Sequence, residues 1–363
     1  MKKFLISLLI LPLLTVSAGA ELVYADALPE VQAVEDALPE SEREVSGELS
    51  LDGGYDTTGA LQRLFQRFIA KAKEQLREEL SYVAGLVSIA LICAVAAALC
   101  AEGSLKDYIS IAGCCAAAVM LAGRLDGVIA DAASAINRLS DYSKAAMPAI
   151  FTAAAACGAV TSASAKYAAV CLAMDVIMSA AQRLIIPLIY AYIAISISGS
   201  IFPNPILKTV ARLSKWCATT AMTVLTLAFS AYISLTSLVT GSADAVAVKT
   251  AKTVISNSLP VVGGIVSDAA SVVLSAASVI KNSAGVFSLV AVCALCAAPF
   301  AALSVKMLLF KATAAAADMI EGGRLSALIN DMGTALGMLL GLVGCCGIML
   351  FISIMSGIKV VTF

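Results

Sequence analysis

The sequence predicts an all-α membrane protein with about eight transmembrane helices and a broken-helix hairpin, after a signal peptide and an acidic extracytoplasmic head. Of its 363 residues, 60% are hydrophobic and only 13% are charged, about half the charged share of a soluble domain. The charges are concentrated in the first 81 residues, and a polytopic membrane domain follows at 82–363. Histidine is absent from the sequence, which excludes histidine bases and histidine metal ligands.

The first twenty residues have the organisation of a secretory signal peptide. Lys2 and Lys3 precede a short apolar stretch, and Ala18-Gly19-Ala20 offers small residues for cleavage. An uncleaved signal anchor is the alternative. Residues 21–58 are rich in carboxylates, proline and glycine, and we interpret them as a disordered acidic extracytoplasmic tether. A partner-binding acidic tail is the alternative there.

Residues 59–81 form a helical pattern with two different faces. Apolar side chains recur at helical spacing, while Arg63, Arg67 and Lys71 stand four residues apart on another face. The pattern predicts an amphipathic interfacial helix in the headgroup plane. A plain extension of the first membrane span is the alternative.

Charge-free apolar runs predict the spans, since a helix needs roughly 20 apolar residues to cross the bilayer. Two of the eight runs, 108–123 and 167–182, are weaker than the others. The six firm runs are 80–101, 145–165, 184–207, 216–243, 282–305 and 332–358.

Lysine and arginine set the predicted orientation. The loops 203–215 and 306–331 carry basic residues and are placed in the cytoplasm, whereas the head lies outside. Eight spans then place the C-terminus outside as well.

Cysteines and glycines in the apolar runs predict helix packing. The eleven cysteines fall within or beside these runs, where cysteine acts as a small apolar side chain. Cys293-x-x-Cys296 matches a redox or metal spacing but lacks a second pair. Gly333, Gly337 and Gly341 repeat every four residues, which lets helix backbones approach closely, within the chain or between subunits.

Residues 244–285 combine polar and apolar character. Lys249 and Lys252 share one helix face, and the segment Pro260 to Gly264, with paired glycines at Gly263 and Gly264, predicts a break. In the helix after the break, Asp268 and Lys281 suit the two ends of the helix dipole. A polar stripe on this helix contains Ser267, Ser271, Ser275, Ser278 and Asn282.

Two interpretations of the serine stripe are open. One is hydrogen bonding between packed helices, and the other is a helix hairpin that lines a water-filled cavity. Asp175, inside the run 167–182, is likewise either half of a structural ion pair or a proton or ion site.

The same segment resembles a known family. Lys249-Thr250-Ala251-Lys252, Pro260-Val261-Val262-Gly263-Gly264, Ser267-Asp268-Ala269 and Lys281-Asn282 occur in an order similar to that in stage III sporulation protein AE of endospore-forming bacteria. The resemblance covers roughly residues 140–360. The family's motif residues have no catalytic role that transfers to this chain.

The resemblance implies a non-enzymatic membrane subunit of the complex that links mother cell and forespore during engulfment. The implied partners are other stage III sporulation membrane proteins, through them a forespore membrane protein, and the lipid bilayer. Self-association into a homo-oligomer is a further possibility, and no nucleic acid is implied. The implied location is the mother-cell membrane around the forespore. A secondary transporter with a midplane site at Asp175 and the Pro260–Gly264 break is the alternative, and an intramembrane enzyme is a third class. We identify no cofactor-binding or metal-binding motif.

Overall fold

The computed structural model describes residues 38–39, 42, 57–100, 103–156, 160–202, 204–258, 263–320 and 323–358. Within these ranges, the side chains of 237–258 and 263–284 and of a few residues at other helix ends lie outside the description. All regular structure in the described part is helical, which confirms the all-α prediction there. The predicted signal peptide lies outside the described residues, as does most of the acidic tether.

Seven α-helices and one π-helical turn form the described part of the chain. Three or four residues separate the consecutive long helices, and the π turn joins α3 to α4 without interruption. The elements are α1 (Thr57–Leu99), α2 (Gly103–Ala156), α3 (Val160–Ala180), the π turn (Ala181–Ile185), α4 (Ile186–Ile201), α5 (Pro205–Ser258), α6 (Gly263–Ile320) and α7 (Arg324–Ile358).

Six continuous helices in the described part are long and apolar enough to cross a membrane, rather than the eight that hydropathy predicts. The runs 108–123 and 145–156 belong to one helix, α2, because the polar residues between them interrupt the hydropathy but not the helix. The predicted run 145–165 is divided, since α2 ends at Ala156 and α3 begins at Val160.

The π turn explains why 167–182 and 184–201 are also one continuous helix. Pro187 follows the turn and has no amide hydrogen for a bond to the carbonyl four residues earlier, and its ring crowds that carbonyl. A π turn shifts the hydrogen-bond register by one residue, so that the helix continues past the proline.

The amphipathic segment 59–81 continues directly into the first span, because both lie in α1. The predicted boundary at residue 81 therefore falls inside a helix. The predicted loop 306–331 is also mostly helical, since α6 extends to Ile320 and α7 begins at Arg324.

Side-chain contacts give the directions of the helices. α1 and α2 form an antiparallel hairpin, since the Cβ position of Gly85 lies 2.6 Å from Met120 Cε and the later Cys93 contacts the earlier Gly113. α6 and α7 form another, since the Cβ position of Gly347 lies 2.8 Å from Cys296 Sγ and the earlier Gly337 contacts the later Met307. α7 is the most enclosed candidate span, with 67% of its most apolar window buried. The buried leucine, isoleucine and methionine side chains of α7 therefore form the centre of the core.

Candidate functional site

A buried carboxylate joins three helices. Glu79 on α1 has a side chain that is 4% exposed, and its Oε2 accepts a hydrogen bond from Arg124 Nη1 on α2 at 2.6 Å. Its Oε1 lies 3.8 Å from the Nζ of Lys306 on α6. A buried ion is costly unless it is paired, so the two cations stabilise the carboxylate at this depth. We call these three residues the Glu79 cluster.

Aromatic rings complete the Glu79 cluster. The Arg124 guanidinium lies 4.8 Å from the centre of the Tyr82 ring, a cation–π distance. The Tyr82 ring lies 5.9 Å from that of Phe310 on α6. These side chains and Leu336 of α7 border a cavity of about 10 Å³, roughly the space of one water molecule. The Tyr82 hydroxyl is buried and has no hydrogen-bond partner in the described part of the chain.

A second polar cluster joins α4, α6 and α7. The Tyr192 hydroxyl donates a hydrogen bond to Asp331 Oδ1 at 3.1 Å. Lys311 Nζ donates to the Asn330 backbone oxygen at 3.0 Å, to Asn330 Oδ1 at 2.7 Å and to Thr334 Oγ1 at 2.7 Å. All three Lys311 hydrogens can therefore be satisfied within the chain. We call these residues the Asp331 cluster.

The two clusters lie close together along α6. Lys306 and Lys311 are five residues apart, which is about 7.5 Å along a helix. Together they connect α1, α2, α4, α6 and α7 through polar contacts within an apolar body. Such contacts fix which residues face each other, since a slipped helix would leave charges unpaired. Among the described residues, no three Cys, Asp or Glu side chains could hold a metal ion.

The segment with the family motif lies at the ends of α5 and α6. Lys249 and Lys252 are in α5, which ends at Ser258, and Gly263 and Gly264 begin α6. α5 therefore ends before the predicted break, and α6 begins within it at Gly263, while Pro260 itself lies outside the described residues. The serine stripe, Asp268, Lys281 and Asn282 are on α6, but their side chains also lie outside the description. Both interpretations of the stripe stay predictions.

Asp175 is on the surface of α3. Its side chain is exposed, as is that of Arg183 in the π turn. The neighbouring Gln182 Nε2 donates a hydrogen bond to Asn137 Oδ1 of α2. None of the described ion pairs includes Asp175. The structure therefore does not bring Asp175 together with either polar cluster.

Two glycines of the repeat on α7, Gly333 and Gly337, face side chains of α6. A Cβ at Gly337 would lie 3.2 Å from Met307 Sδ, and one at Gly333 would lie 3.2 Å from Lys311 Cδ. Gly341 has no heavy atom within 4 Å of its Cβ position. Within the described part of this chain, the space beside Gly337 is filled by the Met307 side chain of α6 and not by another helix backbone. Packing of the repeat against a second subunit stays a prediction.

Glycines outside the predicted repeat make the closest contacts, and two of them pack against cysteine side chains. Cys296 Sγ fills the space over Gly347, and Cys93 Sγ fills the space over Gly113. In these two hairpins the thiol acts as a small packing group, as the sequence predicts. None of the described cysteines forms a disulfide.

Sequence reasoning missed both polar clusters. It placed Lys306, Lys311 and Asp331 in a cytoplasmic loop and gave Glu79 and Arg124 no role. Their position in the sequence could have indicated them. Glu79 and Lys306 are each adjacent to an apolar run, and a charge near the membrane interior needs a partner.

A comparison with protein families identifies the same family as the motif. The sequence model of stage III sporulation protein AE matches residues 51–360. No curated protein and no solved structure matches the chain. The match includes all six candidate spans, both polar clusters and the segment that carries the motif. The chain belongs to the stage III sporulation protein AE family.

Proposed function

We propose that this chain is a non-enzymatic integral membrane subunit of the sporulation complex that links the mother cell to the forespore, as a part of a channel or feeding apparatus. In this role it supports forespore development and late forespore gene expression. The observation that carries the proposal is the family match over residues 51–360. Six apolar helices in the described part of the chain supply the membrane-embedded body that such a subunit requires.

The proposed location is the mother-cell membrane that surrounds the forespore, with the head outside the cytoplasm. Six crossings preserve the orientation that eight would give, because both numbers are even. Lys208, Arg212 and Lys215 follow the connection between α4 and α5 and favour a cytoplasmic position for it. The connection between α6 and α7 then lies on the same side. The head faces the space between the two membranes, where the proposed partners meet.

Co-purification tests the assembly. A tagged copy replaces the native one in a spore-forming bacterium, and membranes from engulfing cells are solubilised and purified through the tag. We expect other stage III sporulation membrane proteins in the eluate, and none when an unrelated polytopic protein carries the same tag. Purification of the chain alone, after mild cross-linking, would contradict membership of a complex.

A forespore reporter tests the role. In a strain that lacks the native chain, a late forespore promoter should stay inactive, and a plasmid-borne copy should restore it. Forespores of normal size with full late expression in the deletion strain would contradict the proposed support of the forespore.

A free-standing secondary transporter is the alternative function. It requires a midplane binding site, and the sequence nominates Asp175 and the Pro260–Gly264 break. Asp175 is exposed on the surface of α3, so the described part of a single chain does not enclose it. No described contact favours this alternative over the subunit role.

A further inference from the structure

Three basic residues lie on one face of α5 near its beginning. Lys208, Arg212 and Lys215 follow one another at intervals of four and three residues, which places them on one side of a helix. All three are exposed. Trp216, the single tryptophan of the chain, is adjacent to them and is 61% exposed. We call these four residues the basic face of α5.

The basic face has a surplus of positive charge. The sequence contains no Asp or Glu from residue 205 to residue 243. None of the described ion pairs includes Lys208, Arg212 or Lys215. Asp331 lies within electrostatic range of both lysines, but it also accepts the hydrogen bond from Tyr192 and is a single negative charge. Three cations and one nearby carboxylate leave the face positive, and an anion would stabilise it.

The basic face adjoins an apolar surface suited to lipid chains. Residues 216–236 of α5 carry no charge. Val224, Leu227 and Leu235 there are 57%, 65% and 63% exposed. A lysine- and arginine-rich turn followed by tryptophan and then by exposed aliphatic side chains is the order expected where a helix passes from the headgroup layer into hydrocarbon.

We propose that Lys208, Arg212 and Lys215 bind the phosphate headgroup of an anionic phospholipid, with Trp216 beside its upper acyl chains. The charges match, and the helix carries the polar and apolar parts of the site in the same order as the lipid. The inference rests on the membrane character of the chain and not on its role in a conduit. The acidic head of the chain is a less suitable occupant, because its Glu42 lies 3.7 Å from Arg67 of α1 and the head is predicted on the opposite side of the membrane.

Trp216 provides a direct test, since every tryptophan signal of the chain comes from this site. The purified full-length chain is reconstituted into phosphatidylcholine vesicles that contain a small fraction of brominated lipid, which quenches tryptophan on contact. Brominated phosphatidylglycerol is compared with brominated phosphatidylcholine at equal mole fraction. We expect the anionic lipid to quench at least about threefold more effectively at low salt, with a smaller difference at high salt.

The variant K208Q/R212Q/K215Q should reduce this ratio to one. The matched control K73Q/R138Q/K144Q also removes three exposed positive charges and should keep the ratio of the unmodified chain. Because quenching is read from the vesicle-inserted protein, a change in stability alone does not imitate the result. A ratio of one in the unmodified chain, or an unchanged ratio in K208Q/R212Q/K215Q, would overturn the proposal.

Two further arms identify the ligand and separate this inference from the proposed function. If inorganic phosphate, added at the same total concentration, abolished the preference for phosphatidylglycerol, a free anion would be the occupant and the lipid proposal would be wrong. The vesicles contain no other sporulation protein, so the quenching ratio does not depend on complex membership. The co-purification experiment in turn does not depend on the quenching ratio, and either proposal can fail alone.

Discussion

Glu79 on α1 and Arg124 on α2 form an ion pair across the first helical hairpin, with 2.6 Å between Oε2 and Nη1. The carboxylate is buried, whereas the arginine side chain is 43% exposed and reaches it from the surface. Lys306 contacts the second carboxylate oxygen from α6, 227 positions along the chain. One carboxylate thus connects the beginning of the membrane body to its C-terminal half.

Glu79→Gln should destabilise the protein by about 3 kcal/mol, because it leaves the partly buried Lys306 and the adjoining Arg124 without their counter-charge. Unfolding in mixed detergent micelles measures the loss. Glu74→Gln is the matched control, since Glu74 is 55% exposed and its ion pair among the described residues is with Lys71 on the same helix. Its effect should stay below about 0.5 kcal/mol. Equal effects of the two variants would contradict a structural role of the cluster.

Alanine substitutions at two glycines of α7 should change the stability of the protein in opposite directions. Gly347→Ala places a methyl group 2.8 Å from Cys296 Sγ and should destabilise by about 1–3 kcal/mol through overpacking. Gly341→Ala meets open space and should stabilise by up to about 1 kcal/mol through helix propensity. The same unfolding assay measures both, and adding Cys296→Ala should recover most of the loss at position 347. Failure of that rescue would exclude the thiol contact as the cause.

Tyr192→Phe should lower the free energy of unfolding by about 1.5 kcal/mol, because Asp331 loses the hydrogen bond that the Tyr192 hydroxyl donates. This is the usual contribution of a hydrogen bond to a charged group. Tyr232→Phe is the control, since Tyr232 is 40% exposed, and it should change stability by less than about 0.5 kcal/mol. Thermal unfolding in detergent provides the comparison. The hydrogen bond contributes nothing if both variants unfold at the temperature of the unmodified chain.

Reporter fusions should place the head outside and two helix connections inside. A reporter active only outside the cytoplasm should be active when fused at Asp56. A reporter active only inside should be active at Asn204 and at Gly323, because the basic residues of α5 orient the first connection and α5 and α6 together cross the membrane twice. Activity of the outside reporter at Asn204 would reverse the whole topology.

Water accessibility should separate the two interpretations of the serine stripe. In a background without reactive native thiols, single cysteines at Ser271, Ser275 and Ser278 are treated with a membrane-impermeant thiol reagent, with cysteines at Val273 and Ala277 as controls. A water-lined stripe requires faster labelling at the three serine positions than at the controls. Uniformly slow labelling at all five would identify a dry packing seam.

Hydropathy predicted most of the apolar segments but not the helices that contain them. The polar residues from Arg124 to Lys144 lower the hydropathy of α2, yet they are compatible with a helix, so two predicted spans are parts of one element. The same holds around Arg183, where the π turn carries the chain past Pro187. Hydropathy measures the preference for lipid, and helix continuity depends on backbone hydrogen bonds.

The polar clusters could not be predicted from spacing, because their members are far apart in the chain. Glu79 and Lys306 meet only because α1 and α6 pack together, and no local pattern records that contact. Cys296 against Gly347 is similar: the packing role of cysteine was predictable from its apolar surroundings, but its partner was not. The repeat Gly333–Gly337–Gly341 was visible in the sequence, and the facing side chains of α6 decided its effect.

The short connections between the helices limit how other proteins can recognise this one. Only three or four residues separate each long helix from the next, too few to form a folded loop domain. If a neighbouring protein binds the described membrane body, most of its contacts should therefore be with the sides of helices. Substitutions that disrupt such contacts should recur every three or four residues along a helix, so a scan for binding defects in this membrane body should show a helical period instead of one continuous stretch of sensitive sequence.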